Sequence, residues 1–317
     1  MTVAVLAGGV GAARFLAGLM QVMDPTEIVA IVNVADDLEL HGLSISPDLD
    51  TVTYTLAGAI NPETGWGLRG ESWAAMGALE RFAAVRPATS NAAATWFGLG
   101  DQDLATHFYR THRRREGAPL STVTDEIRRA FEVPVRLLPV TDDRCRTMVT
   151  VPGEGELTFQ EYFVGRKHAV AVTSVRFEGI DAARPAPGVL EALADAESIV
   201  IAPSNPIVSI GPLLGLLHDD LAQYRAKVVA VSPIVAGAAL KGPADRMLTE
   251  LGHEPSVVGV ARLYASVAKA LVIDEADEAL AGAVDASGLK AVVTDTIMAN
   301  PERSAGLARR TLAAARA

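Results

Sequence analysis

Two kinds of residue near the start of the chain have the types and spacing for chemistry on a phosphate group. Gly8, Gly9 and Gly11 follow one apolar segment, and Asp36 and Asp37 follow the next. A glycine turn that leads into a helix offers free backbone N–H groups to an anion, and the positive end of the helix dipole adds to the attraction. Because Mg²⁺ prefers oxygen ligands, the carboxylates suit a divalent cation. The sequence therefore predicts a phosphate-binding turn and a cation site in one crevice.

A second acidic pair, Asp48 and Asp50, lies a few residues further on. Asp50 stands where a helix predicted over 51–57 should have its N-cap, and capping would explain one aspartate on its own. Capping does not explain two acidic pairs close to a phosphate-binding turn. We therefore predict that Asp37 and Asp50 bind Mg²⁺, with Ca²⁺ or Mn²⁺ as alternatives, and that the same two residues are catalytic. A helix cap or a solvated acid is the alternative interpretation.

The elements that must position these residues predict an α/β fold. Residues 3–6 and 28–34 have the short, apolar, β-branched composition of buried parallel strands, with a helix predicted over 11–23 between them. From residue 188 onward, strands and helices alternate again. We predict a Rossmann-like, doubly wound, mostly parallel sheet that is formed by residues 1–60 and 165–317.

The middle of the chain has a different sequence pattern. Residues 61–132 have the pattern of helices, and 133–177 predict strands in antiparallel hairpins, with a turn over 141–144 joining the first two. We therefore predict that 61–164 is an inserted segment, helical at first and a small antiparallel β segment afterwards.

Polar residues also follow a later predicted strand, 199–201. Ligands of open α/β sheets bind beyond the carboxyl ends of the strands, and uncharged hydroxyl and amide groups suit a purine or a ribose. The alternative is that these loops only turn the chain. The predicted phosphate- and nucleotide-binding residues are Gly8, Gly9, Val10, Gly11, Asn33, Asp36, Ser204, Asn205, Pro206 and Ser209.

Two loops carry tryptophan, at Trp66 and Trp96. Such a residue can form an aromatic wall for a flat ring ligand, or it can pack beneath its own loop. The spacing of the loops, on either side of a helix predicted over 71–82, is compatible with a wall on one side of a cavity.

Composition narrows the class of protein. The 317 residues are 50% hydrophobic and carry a net charge of −10. Nucleic acids and anionic membranes need a positive surface, so neither is expected as the main partner. Cys145 is the only cysteine, which excludes a disulfide framework and fits a reducing compartment. With no apolar run of membrane-spanning length, we predict a cytoplasmic protein.

In order and spacing, these stretches resemble the 2-phospho-L-lactate transferase family of coenzyme F-420 biosynthesis. Two strings, Trp96–Asp101 and Asp142–Cys145, are most similar to the actinobacterial branch, the phosphoenolpyruvate transferases. The segments that carry the resemblance cover most of the chain: 7–11, 31–37, 46–58, 66–69, 96–101, 105–107, 137–144, 202–206 and 241–245.

The resemblance implies an enzyme that works with a divalent cation, is usually a homodimer and has no redox cofactor. The acceptor would be Fo, a riboflavin-like 5-deazaflavin. The donor would be a guanosine diphosphate ester of 2-phospholactate or of phosphoenolpyruvate, between which the sequence does not choose. Transfer to the terminal hydroxyl of Fo would release GMP and give coenzyme F-420-0 or its dehydro form. The residues expected at Fo are Asp50, Trp66, Arg69, Gly98, Asp101, Thr106 and His107.

Two other interpretations are weighed against this one. A related group of nucleotide-sugar-binding regulatory proteins shares the glycine start and the double aspartate, but a sugar nucleotide needs no aromatic wall. An NAD-linked dehydrogenase could use Asp36 to bind ribose, but the third glycine of the dinucleotide fingerprint is missing.

Overall fold

The centre of the fold is a seven-stranded sheet, and each neighbouring pair of its strands is parallel. The computed structural model describes residues 2–317. Its strands are β1 (Val3–Ala7), β2 (Ile28–Val32), β3 (Leu38–Leu40), β4 (Leu43–Ile45), β5 (Arg136–Pro139), β6 (Arg146–Val151), β7 (Gly155–Thr158), β8 (Ser174–Glu178), β9 (Ser198–Ile201), β10 (Val228–Val231), β11 (Ile234–Val235), β12 (Ala238–Ala239), β13 (Ala270–Ile273) and β14 (Lys290–Val293).

Helices connect the strands and cover the sheet. They are α1 (Gly9–Leu19), α2 (Pro47–Leu56), α3 (Ala74–Ala83), α4 (Asp103–Arg115), α5 (Leu120–Ala130), α6 (Val189–Asp195), α7 (Gly211–Gln223), α8 (Ala244–Glu250), α9 (Val257–Tyr264), α10 (Ala281–Ala286) and α11 (Pro301–Arg316). Because α1 packs against both α2 and α11, the N-terminal glycine turn is held between two other elements.

The strand order places β1 at the point where the chain changes direction. The order is β14-β13-β10-β9-β1-β2-β5, so the chain runs outward from β1 through β2 and β5 and then returns to β9 on the other side. The predicted Rossmann-like α/β fold is confirmed. In such sheets the crevice beyond the carboxyl ends of the strands at the reversal is the usual ligand site. Here it lies between the ends of β1 and β9.

The middle of the chain differs from its prediction. Strand β5 was expected to form a hairpin with β6, but it is the edge strand of the main sheet and pairs with β2 in parallel. The predicted insertion, 61–164, therefore does not lie wholly outside the sheet. Strands β7, β6 and β8 do form a small antiparallel sheet, as expected. Strand β7 ends at Thr158, and a π-helical turn follows over Glu161–Gly165, where the sequence pattern predicted strands throughout.

The start of α2 also differs from its prediction. The helix begins at Pro47, and Ser46 occupies the N-cap position. Proline favours the first turn because its φ is already helical and its missing N–H would have had no partner there. Asp50 is therefore inside the helix and buried, so its interpretation as the N-cap is wrong. The segment before it, expected as a loop, contains the β3–β4 hairpin.

Candidate functional site

One cavity of about 550 Å³ lies at the reversal point of the sheet. Its size is within the usual range for small-molecule sites. The glycine turn after β1, the start of α2 and the loop after β9 form one part of its wall. The loops around Trp66, Gly98 and Phe163 form another part, and 240–244 and 296–299 close the rest. Segments distant in sequence thus meet here.

The glycine turn is held by close packing. A Cβ added at Gly8 would lie 2.7 Å from Ser209 Cβ, and one added at Gly11 would overlap the carbonyl oxygen of Pro203. Ser204 Oγ donates a hydrogen bond of 2.7 Å to the Gly8 carbonyl oxygen. Close packing therefore requires glycine at positions 8 and 11. It is compatible with ligand binding, since the same residues line the cavity.

We expect Gly11→Ala to lower the free energy of unfolding by about 1–3 kcal/mol, because the new methyl group displaces backbone of the β9 loop. Gly306→Ala is the matched control. Gly306 lies in α11, where an added Cβ meets nothing within 4 Å, so alanine should stabilise by about 0.5–1 kcal/mol. Urea denaturation of both variants measures the difference. Equal effects of the two substitutions would contradict the packing described for Gly11.

An acidic cluster of Asp36, Asp37 and Asp48 lies beside the turn. The buried Asn33 amide donates to Asp36 Oδ2 and to Asp48 Oδ2, each at 3.1 Å. Asp37 Oδ2 accepts from Ser46 Oγ at 2.6 Å. Asp36 Oδ1 and Asp37 Oδ1 are buried and accept no hydrogen bond from the described residues. Buried carboxylate oxygens without partners are costly, and a divalent cation is the ligand that would relieve them.

Burial raises the pKa of each carboxyl in the cluster. Burial raises the pKa of Asp48 to about 6. For Asp36, burial and then the neighbouring Asp48 charge raise the pKa well above its ordinary value. Burial has the same effect on the pKa of Asp37, although Ser46 opposes it. Without a cation, the cluster holds its protons at a pH where unfolded aspartates have lost theirs.

The raised pKa values set the sign of a pH effect on stability. Because the pKa of Asp48 is about 6 in the folded state and about 4 in the unfolded chain, the stability that Asp48 contributes is complete below about pH 4 and is lost as the pH rises through about 6. In EDTA, we expect the melting temperature of Asp48→Asn minus that of the unmodified protein to increase from pH 4 to pH 6. Mg²⁺ should stabilise the unmodified protein more at pH 7.5 than at pH 5. Scanning calorimetry measures both, and a pH-independent difference would contradict the assignment.

Asp50 belongs to a separate buried network. Both of its oxygens accept from the guanidinium of Arg110, with Nη1 at 3.1 Å from Oδ2 and Nη2 close to Oδ1. Arg110 is 2% exposed and comes from α4, so it joins the helix of the insertion to α2. Burial raises the pKa of Asp50 and the positive charge of Arg110 opposes that rise. The bidentate pair fixes the orientation of the Asp50 carboxylate.

His107 and Asp103 complete this network. Arg110 Nη1 lies 3.2 Å from His107 Nδ1, and a guanidinium only donates, so Nδ1 is an acceptor and the ring proton is on Nε2. Nε2 lies 3.2 Å from Asp103 Oδ2, and Asp103 Oδ1 accepts from Tyr54 Oη at 2.6 Å. One ligand atom each from Asp50, Asp103 and His107 lie within 4.8 Å of one another, which is compatible with a metal ion.

Aromatic side chains line the other end of the cavity. Trp66 is 42% exposed and meets Trp73 edge to face at 5.4 Å between ring centroids. Phe159 stacks on Phe163 at 5.3 Å, and both rings line the cavity. A Cβ at Gly98 would lie 3.3 Å from the Trp66 ring, so the absence of a side chain there lets the ring approach. The surface suits a flat ring ligand.

The structure brings most of the predicted site residues to this cavity. Those that line it are Gly8, Gly9, Val10, Gly11, Asp36, Asp50, Trp66, Gly98, His107, Ser204, Asn205 and Ser209. The predicted residues outside its lining are Asn33, Asp37, Arg69, Asp101, Thr106 and Pro206. Asn33 donates to the lining residues Asp36 and Asp48, whereas Asp37 accepts from Ser46, which does not line the cavity. Asp101 accepts from Ser72 Oγ and from the Ala74 and Ala75 N–H groups, so it caps the start of α3.

Sequence reasoning missed other residues of the site. Asp48 was recognised only as part of an acidic pair, and Arg110 and Tyr54 were not singled out. The aromatic run of Phe159, Tyr162 and Phe163 was a usable signal, but its assignment to a strand concealed which rings share a face.

None of the helices within residues 2–317 has the length and apolar character needed to span a membrane.

Comparison with known proteins gives matches over nearly the whole chain. The family model described as 2-phospho-L-lactate transferase CofD matches residues 3–312. A protein named phosphoenolpyruvate transferase from Streptomyces griseus is 41% identical, over 98% of this chain and 98% of that protein. Its namesake from Mycolicibacterium smegmatis is 38% identical, over 98% and 97%. A crystal structure of a upf0052 family member from Bacillus halodurans matches with a TM-score of 0.60 and 15% identity, over 98% of both chains, which concerns the fold alone.

Proposed function

Since the chain belongs to the CofD family of 2-phospho-L-lactate transferases, we propose that it transfers an organophosphate from a guanosine diphosphate ester to the terminal hydroxyl of Fo and releases GMP. The curated relatives are named phosphoenolpyruvate transferase, and this favours the phosphoenolpyruvate ester as donor over the 2-phospholactate ester. The product is then the dehydro form of coenzyme F-420-0.

One observation carries the proposal: a single cavity joins a backbone turn suited to phosphate, a carboxylate cluster suited to a cation and an aromatic wall suited to a planar ring. Gly8–Gly11, Asp36 with Asp48, and Trp66 with Phe163 are its three parts. A nucleotide site alone would not need the aromatic end. A transferase needs both ends, since donor and acceptor must meet at one phosphorus.

The reaction forms one bond and breaks one. The terminal hydroxyl oxygen of Fo attacks the phosphorus that carries the organic group, and the bond from this phosphorus to the bridging oxygen breaks. The bridging oxygen leaves with GMP, and the hydroxyl proton passes to a base. Asp50 is the base that we propose, because it lines the cavity and Arg110 keeps its carboxylate oriented.

The residues present fit a divalent cation. Asp37 Oδ1 is a buried carboxylate oxygen without a hydrogen-bond partner among the described residues. The Asp50 carboxylate has lone pairs in addition to those that accept from Arg110. Asp37 and Asp50 would hold the ion, with Asp103 as an additional candidate ligand. When bound, Mg²⁺ would neutralise diphosphate oxygens and lower the pKa of the hydroxyl. The residues of the protein orient both substrates, and the aromatic rings exclude water from the space between them.

The test is an assay of the purified protein with Mg²⁺, Fo and the phosphoenolpyruvate ester of guanosine diphosphate. We expect GMP and the Fo adduct in equal amounts, measured by chromatography and mass spectrometry, and slower transfer from the 2-phospholactate ester. Release of GMP without Fo would identify a hydrolase instead. Absence of both products, with tight binding of a UDP-sugar, would favour the regulatory interpretation.

A further inference from the structure

Two cationic side chains at the mouth of the cavity have no role in the chemistry described above. Arg14 projects from the second turn of α1, and Lys241 lies in the loop after β12. Both line the cavity. Arg14 follows the glycine turn after two alanines, whereas Lys241 comes from a distant part of the chain.

The position of Lys241 places its charge beside the loop that carries Trp66. Its Nζ donates to the carbonyl oxygen of Thr64 at 3.4 Å, so the loop after β12 reaches across to that loop. A Cβ added at Gly65 would lie 2.8 Å from Lys241 Nζ and 4.0 Å from Val10 Cγ1. The ammonium and the Val10 side chain, which belongs to the glycine turn, therefore both approach Gly65.

Neither cation is neutralised by a carboxylate. Among residues 2–317, no ion pair involves Arg14 or Lys241. Partial burial lowers the pKa of Lys241, and the nearby charge of Arg14 lowers it further. Two like charges that are close together repel each other, and a bound polyanion removes this cost. Elsewhere on the surface, Arg113, Arg176 and Arg303 each have a carboxylate partner.

We propose that Arg14 and Lys241 clamp the phosphate group that leaves with the nucleotide. The inference rests on the proposed function for the direction of the donor. The phosphorus under attack must face the acidic and aromatic regions, where the acceptor hydroxyl lies. Arg14 and Lys241 line the same cavity as the loops around Ser209 and Pro233, where we place the nucleotide side of the donor. When the bridging oxygen leaves, it gains a full charge as a terminal oxygen of GMP, and two cations beside it stabilise that charge.

Titration calorimetry with GDP, GMP, guanosine and inorganic pyrophosphate, each in Mg²⁺, tests the clamp. The variants are Lys241→Met and Arg14→Gln, with Lys241→Arg as the conservative change. Loss of one charged contact should weaken GDP and pyrophosphate binding about ten- to a hundredfold. Guanosine binding should not change, and Lys241→Arg should restore most of the affinity. In the transfer assay, kcat should fall as well as the affinity for the donor, because the clamp acts on charge that develops during the reaction.

Arg309→Gln is the matched control, since Arg309 is an exposed arginine of α11 outside the cavity lining. It should leave all four affinities unchanged. Normal GDP and pyrophosphate affinities in both clamp variants would overturn the clamp while leaving the guanosine donor intact. Equal losses for guanosine and GDP would also overturn it, because phosphate would not be the group recognised. Binding of pyrophosphate without GDP would instead reject the guanosine donor and retain the clamp. Failure of the unmodified protein to bind either would reject both.

Discussion

Asp50→Asn should slow GMP release about a thousandfold or more, although the substituted side chain keeps the shape of aspartate. The substitution removes the charge that Arg110 orients and with it both roles proposed for Asp50, as a base and as a cation ligand. Loss of one preorganised electrostatic contact at a reacting centre commonly costs a hundred- to a thousandfold, and two roles should cost more. Single-turnover rates with saturating Fo and donor measure the effect.

The fold of this variant must be checked separately, because Asn leaves Arg110 with a weaker buried partner. Its melting temperature should remain above the assay temperature, and GDP should still bind. Asp219→Asn removes an aspartate whose side chain is 99% exposed and should have normal turnover. Turnover of Asp50→Asn within threefold of the unmodified enzyme would reject the assignment of Asp50.

Arg110→Met should lower the free energy of unfolding by about 3–5 kcal/mol, the usual cost of breaking a buried ion pair by removing one partner. The substitution leaves the Asp50 carboxylate buried without its cation and close to Asp103 and His107. Since protonation of Asp50 relieves that charge, the loss should be smaller at pH 5 than at pH 8. Urea denaturation at the two pH values measures it.

Two comparisons isolate the buried pair. Arg113→Met, on the same helix, breaks ion pairs of an arginine whose side chain is 30% exposed with Glu116 and Glu126, and it should change stability less. The double variant Arg110→Met with Asp50→Asn should recover part of the loss, because no uncompensated charge then remains. Equal losses in the free energy of unfolding for Arg110→Met and Arg113→Met would show that the buried network does not stabilise the fold more than the Arg113 ion pairs do.

The parts of the site that are local in sequence could be predicted from it. Gly8–Gly11 and Asp36 each follow a strand whose apolar pattern is unambiguous, so parallel pairing alone brings them to the same edge of the sheet. The same reasoning placed Ser204 and Ser209 at the neighbouring strand end. Val3–Ala7 and Ile28–Val32 needed no tertiary information, because both are buried along their whole length.

The parts that depend on distant contacts could not be predicted. Arg110 lies sixty residues after Asp50, and no local pattern marks an arginine of a polar helix as buried. Strand β5 was assigned to a hairpin because β6 is its neighbour in sequence, whereas the free edge of β2 is its partner in space. The π-helical turn over Glu161–Gly165 has β-favouring residues, and tertiary packing of Tyr162 overrides that preference.

A crystal structure of the protein with Fo, GDP and Mn²⁺ tests the central claim most directly, because anomalous scattering identifies the metal. We expect one manganese peak that contacts Asp50 or Asp37 and an oxygen of the diphosphate, with the diphosphate on the Gly8–Gly11 turn and the deazaflavin ring beside Trp66 and Phe163. A crevice that binds GDP but no metal, or a nucleotide bound away from this turn, would contradict the account.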